Sequence, residues 1–323
     1  MSTPENKLVL SKVSLPDKKV LRKHAALRYV WKHRYMYLML VPAVIYYIIY
    51  HYVPMYGAVI AFKDFSITKG IMGSPWAGFE HFQYLFGLDK FWRVFWNTVQ
   101  ISLLRLVFGF PLPLIVALLL NEVRRQLFKR SIQTIIYLPH FISWVILGGL
   151  MVNLLALDSG AVNSMLHGIG IGPIGFMSDP TYFRGTLIGS MIWKEFGWGT
   201  VIYMAALAAV NPQLYEAAMM DGANRWQRML HITLPGIKST IIILLILRLG
   251  SMMEAGFEQI LILYNPAVYS VSDIIDTYVY RIGVTEGQFS IAAAVGLFKS
   301  VINFTLLIIA NRLARMTGEQ GIY

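Results

Sequence analysis

Two sets of residues in this sequence could do chemistry or mechanical work. The first is a polar stretch, Asn211 to Lys238, which reads NPQLYEAAMMDGANRWQRMLHITLPGIK. The second is a set of charges inside long apolar runs: Arg105, Lys194, Glu195, Arg248, Glu254, Glu258 and Lys299. A charge facing hydrocarbon costs on the order of 3 kcal/mol by insertion scales, so each must face protein, water or another charge. They can line a polar cavity, or they can pair between helices, for example Lys194 or Lys299 with Glu254 or Glu258. Near them Trp193, Trp198, Tyr203 and Phe257 offer flat apolar faces. Such rings serve equally well in packing or as membrane-interface anchors.

Covalent and metal chemistry find little to work with. The chain has no cysteine, which excludes disulfides and thiolate-metal sites. Its seven histidines are scattered, none in an H-E-x-x-H spacing, so no metal site is expected. No G-x-x-x-x-G-K-[ST] phosphate loop occurs. No catalytic residue is assigned.

The elements that position these residues are membrane spans. Of 323 residues, 56% are hydrophobic and only 14% charged, and mean hydropathy is +0.56. A soluble domain has no use for that composition. A bilayer crossing needs about 20 apolar residues. Six runs qualify: Met36 to Tyr56, Val94 to Leu120, Ile132 to Leu157, Thr186 to Val210, Ser239 to Leu263 and Ile291 to Ala310. Pro111 and Pro113 predict a kink in the second. The fold expected is all-α, a polytopic membrane protein with six transmembrane helices.

Net charge is +11, but Lys and Arg sit in short blocks between the apolar runs rather than on one basic face. That pattern suits topology, not nucleic acid. With the N-terminus inside, inner segments hold 18 of the 28 Lys and Arg and outer segments hold 6. Both termini are therefore expected in the cytoplasm. Residues 1–34 form a basic tail, and Lys18 to Arg34 could lie on the anionic inner leaflet. Residues 35–93 hold the first span and an outer segment, residues 94–311 hold five spans, and residues 312–323 form a second tail. The outer stretch Tyr264 to Ser290 is expected to be a gate, a docking loop or an ordinary connection.

The stretch 211–238 lies on the inner side. Asn211-Pro212 signals a helix start, Asp221-Gly222 a turn, and Leu234-Pro235-Gly236 a stop before the fifth span. Between turn and stop, Ala223, Trp226 and Leu230 share one helical face. A helix, sharp turn and second helix at the inner face could seat in a groove on a partner.

The pattern Glu216, Ala217, Ala218, Asp221, Gly222, Ala223, followed by Ile232, Leu234 and Pro235, resembles the EAA loop of type I ABC importer permeases. The runs WKEFGWGTVIYMAALAAVNPQLYEAA, GFEQILILYNPAVYSVSDIIDTYVYR and AVGLFKSVINF are similar to the oligosaccharide branch of the carbohydrate-uptake permeases. Within that branch they resemble the group serving breakdown products of pectin or alginate.

The resemblance implies a permease of the bacterial cytoplasmic membrane, with the EAA loop as the helix that an ATPase grips. It implies a second, similar permease, two ABC ATPase subunits holding ATP and Mg, and an extracellular sugar-binding protein. This chain would carry no cofactor. Its substrate would be an oligosaccharide, acidic if met by Arg105, Lys194, Arg248 or Lys299, with Trp193, Trp198, Tyr203 or Phe257 against the sugar faces. Two rival functions are a polytopic membrane enzyme and a self-contained secondary transporter. The first needs clustered acids or histidines at one membrane face, and the second usually shows more spans and an internal repeat.

Overall fold

A computed structural model describes Tyr29 and residues 31–316. The expectation that Lys18 to Arg34 lies on the membrane surface falls largely outside these residues, as does most of the second tail. Helices dominate throughout, and among the described residues the only β pairing is an isolated bridge between Lys63 and Trp76. The chain divides into two units, Met1–Ala58 and Val59–Tyr323.

In the first unit, α1 (Arg34–Tyr47) runs through a widened turn, Ile48–Tyr52, into Val53–Met55. The widening precedes Pro54. Proline offers no N–H and presses on the carbonyl four residues back, and a π turn relieves both defects. Leu38, Leu40, Ile45 and Ile49 are all exposed around this helix. A helix that is apolar all round suits lipid or a partner helix.

The second unit opens with α2 (Asp89–Gly109) and α3 (Pro111–Asn121), which meet at Phe110. The third expected span is not one straight helix. It is α4 (Gln126–Tyr137), a tight turn at Leu138–Phe141, and α5 (Trp144–Leu154), with a bend of 99°. Pro139 and the Ser143 cap force the break, because Ser143 Oγ accepts from Ile146 N and starts a new helix. Then α6 (Pro180–Ala208) runs unbroken for 29 residues, starting from the Asp179 cap. It is the hub of the unit, packing on α2, α3 and α4. The backbone of Ile136 lies so close to Gly197 that an added Cβ would sit 1.9 Å from its carbonyl oxygen.

Beyond α6 come α7 (Pro212–Met220), α8 (Arg225–Arg228) and, after Leu234–Gly236, α9 (Lys238–Gly250). The fifth expected span is also broken. After Gly250 the chain leaves helix and resumes at α10 (Phe257–Leu263). The stretch Tyr264 to Ser290 is more than a surface connection: it folds as short helical turns, among them α11 (Ile275–Tyr280), and its middle is buried. Val268, Ser272, Ile274, Ile275 and Thr277 are completely buried. Part of the backbone of this stretch is satisfied from α2, where Asn97 donates to the Ser270 and Asp273 carbonyls and Thr98 Oγ1 accepts from Ile275 N. Finally α12 (Phe289–Met316) spans 28 residues.

By length and composition Arg34–Phe62, Asp89–Asn121 and Phe289–Met316 can each cross a bilayer, and the two bent pairs about Ile142 and Ile237 can do so if each is one span. The remaining expected span lies in α6. It is about 44 Å long at 1.5 Å per residue, but Lys194 and Glu195 in its middle lower its hydropathy. Six spans are consistent with this arrangement.

Candidate functional site

The stretch from Asn211 forms a self-capped, two-limbed surface segment. Asn211 Oδ1 accepts from Gln213 N at 3.0 Å, and Pro212 takes the first helical position, where a missing N–H costs nothing. The helix α7 ends in a Schellman turn: Gly222 N donates to Met219 O at 3.1 Å and Ala223 N to Ala218 O at 2.9 Å. Gly222 stands at φ +77°, the left-handed conformation that this turn requires. A reciprocal box starts α8, with Gln227 N donating to Asn224 Oδ1 and Asn224 N to Gln227 Oε1. Tyr215 and the buried Thr233 share a 3.0 Å hydrogen bond that ties the two limbs together. A second π turn, Met229–Thr233, absorbs Pro235 as the first absorbed Pro54.

The backbone of this segment is thus closed on itself while its side chains stay open. Met220 is 89% exposed and Trp226 71%. Glu216, Ala217, Asp221, Gly222 and Pro235 are exposed, and Ala218, Ala223 and Ile232 are half-buried. Glu216, Asp221, Arg225 and Arg228 make no ion pair among the described residues. Open apolar side chains flanked by unpaired charges form a surface that can seat against another protein.

A cavity of about 740 Å³ lies between α2, α6, α9, α11 and α12. Of the eight residues singled out for a cavity, Arg105, Arg248, Phe257 and Lys299 line it. Arg105 Nη1 donates to Gln259 Oε1 at 2.7 Å and Nη2 to Glu195 Oε1 at 3.2 Å. Gln259 in turn donates to Leu187 O and Ser190 Oγ. Gly256, at φ +92°, lets the chain pass over Arg105, since an added Cβ would fall 2.4 Å from the guanidinium. Lys299 Nζ reaches Asp276 Oδ1 at 2.5 Å. Phe257 and Tyr280 form a tilted ring pair 5.9 Å apart at the wall.

The other four go elsewhere. Lys194 is buried and donates to the carbonyls of His140 and Ile142, capping the break in the third span. Trp198 stacks on His140 at 4.6 Å, with both rings beside a second, polar hollow. Trp193 lines an apolar hollow with Leu150 and Phe176. Tyr203 packs with Ala117, Leu207 and Ile237. The expected pairing of Lys194 or Lys299 with Glu254 or Glu258 does not occur. Lys194 meets carbonyls, Lys299 meets Asp276, and both glutamates are exposed.

Gln259, which holds Arg105 from behind, and Asp276 and Tyr280, which line the cavity, do not stand among the candidate residues read from sequence. The lone glutamine in the run FEQILIL was the available signal for the first. The other two sit in a stretch that reads as a loop, and only its packing against α2 and α12 brings them inward.

Comparison with known proteins agrees with this architecture. Residues 109–318 match the family described as binding-protein-dependent transport system inner membrane component. The chain is 48% identical over 306 residues to the polygalacturonan/rhamnogalacturonan transport system permease protein YteP of Bacillus subtilis (strain 168), covering 95% of each chain. Protein LplB of the same strain is 47% identical over 292 residues, covering 90% of this chain and 92% of its own. Among solved structures, a chain of a bacterial ABC transporter involved in the import of the acidic polysaccharide alginate superposes with a TM-score of 0.84 at 42% identity. It covers 90% of this chain and 99% of that one. The chain therefore belongs to the binding-protein-dependent transport system inner membrane components, as a multi-pass permease with the type I ABC importer fold.

Proposed function

We propose that this chain is one of two permease subunits of a bacterial importer that carries acidic oligosaccharides across the cytoplasmic membrane. Separate ATPase subunits, holding ATP and Mg, supply the energy. The observation that carries this reading is a physical continuity. The open segment from Asn211 to Gly236 leads through a single 60° bend into α9, and α9 delivers Arg248 to the charged cavity. A pull on the segment moves a wall of the cavity.

The cycle follows from that linkage. A loaded binding protein docks on the outer face. ATP draws the two ATPases together beneath the membrane, and their closure moves the turn around Glu216 to Ala223. The spans rock, and the cavity changes the side to which it opens. No covalent step takes place in this chain. Both termini then lie in the cytoplasm, as the distribution of Lys and Arg supports. The acidic class of substrate is supported by the names of the similar proteins and by Arg248, a cation of the cavity wall that makes no ion pair among the described residues.

The test is to express the chain with its neighbouring permease, ATPase and binding-protein genes, purify the assembly and reconstitute it in liposomes. The expected result is co-purification of an ATPase and ATP turnover stimulated by binding protein loaded with oligogalacturonate or oligoalginate. A chain that purifies and transports without any ATPase would overturn the proposal.

A further inference from the structure

The charged groups in the main cavity differ in one respect: whether their own chain already satisfies them. Arg105 is almost wholly buried and is held by Gln259 and Glu195. Lys299 is held by Asp276. The Arg105 side chain is too buried to reach a ligand, and taking Lys299 would leave the partly buried Asp276 carboxylate without its partner, which is costly. Arg248 and Glu254 remain. Both line the cavity, and neither side chain makes an ion pair or hydrogen bond among the described residues. They do not pair with each other.

A half-buried guanidinium that faces a cavity inside a membrane domain needs an anion. Its planar fork of donors matches a carboxylate with two parallel hydrogen bonds. Glu254, exposed on the same cavity, can only accept, and sugar hydroxyls are donors it can take. The rings of Phe257 and Tyr280 flank the same wall. A carboxylate site, a hydroxyl acceptor and an aromatic wall together describe a uronate residue.

We infer that Arg248 is the residue that selects acidic oligosaccharides, binding a uronate carboxylate through its guanidinium while Glu254 takes neighbouring hydroxyls. The inference rests on the proposed function, because it names the substrate contact of the same cavity. It also carries a mechanical consequence. Arg248 lies in the last turn of α9, about 15 Å along the helix from Lys238, where the bend from the open segment begins. The cation that grips the substrate is mounted on the element that the ATPase would move, whereas Arg105 and Lys299 belong to α2 and α12.

The test uses the full reconstituted transporter and two probes, trigalacturonate and its neutral methyl ester. Uptake of each is measured for wild type, Arg248→Gln and Arg248→Lys, with assembly of every variant checked by co-purification. The expected result is a roughly tenfold to hundredfold fall in trigalacturonate uptake relative to the ester in Arg248→Gln. Arg248→Lys should recover part of it, since lysine keeps the charge and loses the fork. Equal losses for both probes would mean that Arg248 supports structure or meets the second permease, and would overturn the inference. Where wild type refuses the ester, Arg248→Lys decides: partial recovery supports the inference, and a variant as inactive as Arg248→Gln overturns it. Wild type that imports trigalacturonate beside an indifferent Arg248→Gln removes this inference alone. Wild type that imports no acidic oligosaccharide removes the proposed function as well.

Discussion

Gly222 separates local strain from the grip of a partner. Its φ of +77° closes the Schellman turn after α7, and an added Cβ there would meet nothing within 4 Å in this chain. Any cost of Gly222→Ala inside the chain is therefore conformational, about 1–2 kcal/mol for a β-carbon in the left-handed region. Asparagine visits that region more readily, so Gly222→Asn costs less while projecting further. Valine, branched at Cβ, costs more. Strain alone ranks transport as Asn above Ala above Val. A partner closing over the turn changes the order, because Asn is bulkier than Ala and obstructs at least as much. The assay measures membrane insertion of each variant, recovery of the ATPase on purification, and sugar-stimulated ATP turnover. The expectation is near-normal insertion with coupling reduced tenfold or more in all three. Wild-type coupling in Gly222→Asn would refute the reasoning.

Three further perturbations follow from the geometry. Tyr215→Phe removes the 3.0 Å link to Thr233; a loss of about 1 kcal/mol should loosen the limbs, read as faster hydrogen exchange across residues 212–233 with little change elsewhere. Gln259→Leu leaves Arg105 with one partner and Ser190 without its donor at 2.9 Å. It should cost about 1–3 kcal/mol, read as a lower unfolding midpoint in detergent, and an unchanged midpoint would count against the network. Lys194→Met uncovers the carbonyls of His140 and Ile142 at the 99° break. It should destabilise by about 1–3 kcal/mol for each carbonyl left dry, and trigalacturonate uptake by the protein that does assemble should hold, because Lys194 lies outside the main cavity.

Much of this protein is legible in one dimension. Six apolar runs, the charge bias between them and the helix-turn-helix at Asn211 to Lys238 follow from composition and from local signals. Caps, proline and glycine act within four or five residues, so Asn211-Pro212, Asp221-Gly222 and Leu234-Pro235-Gly236 declare the folded segment directly. Intramembrane charges are equally visible, since the cost of exposing them to lipid holds in any fold.

Their partners were not visible, because pairing depends on which helices meet. Lys299 finds Asp276 across 23 residues and Arg105 finds Glu195 across 90. The breaks at Ser143 and after Gly250 also escaped, because an apolar run keeps its hydropathy whether straight or bent. What repairs the first break is Lys194, a side chain from another span. The stretch Tyr264 to Ser290 carries turn residues and charges that read as a loop, yet Asn97 and Thr98 of α2 satisfy part of its backbone and let its middle be buried. Hydropathy and capping are properties of neighbours in the chain, whereas ion pairs, helix breaks and the cavity wall are properties of neighbours in space.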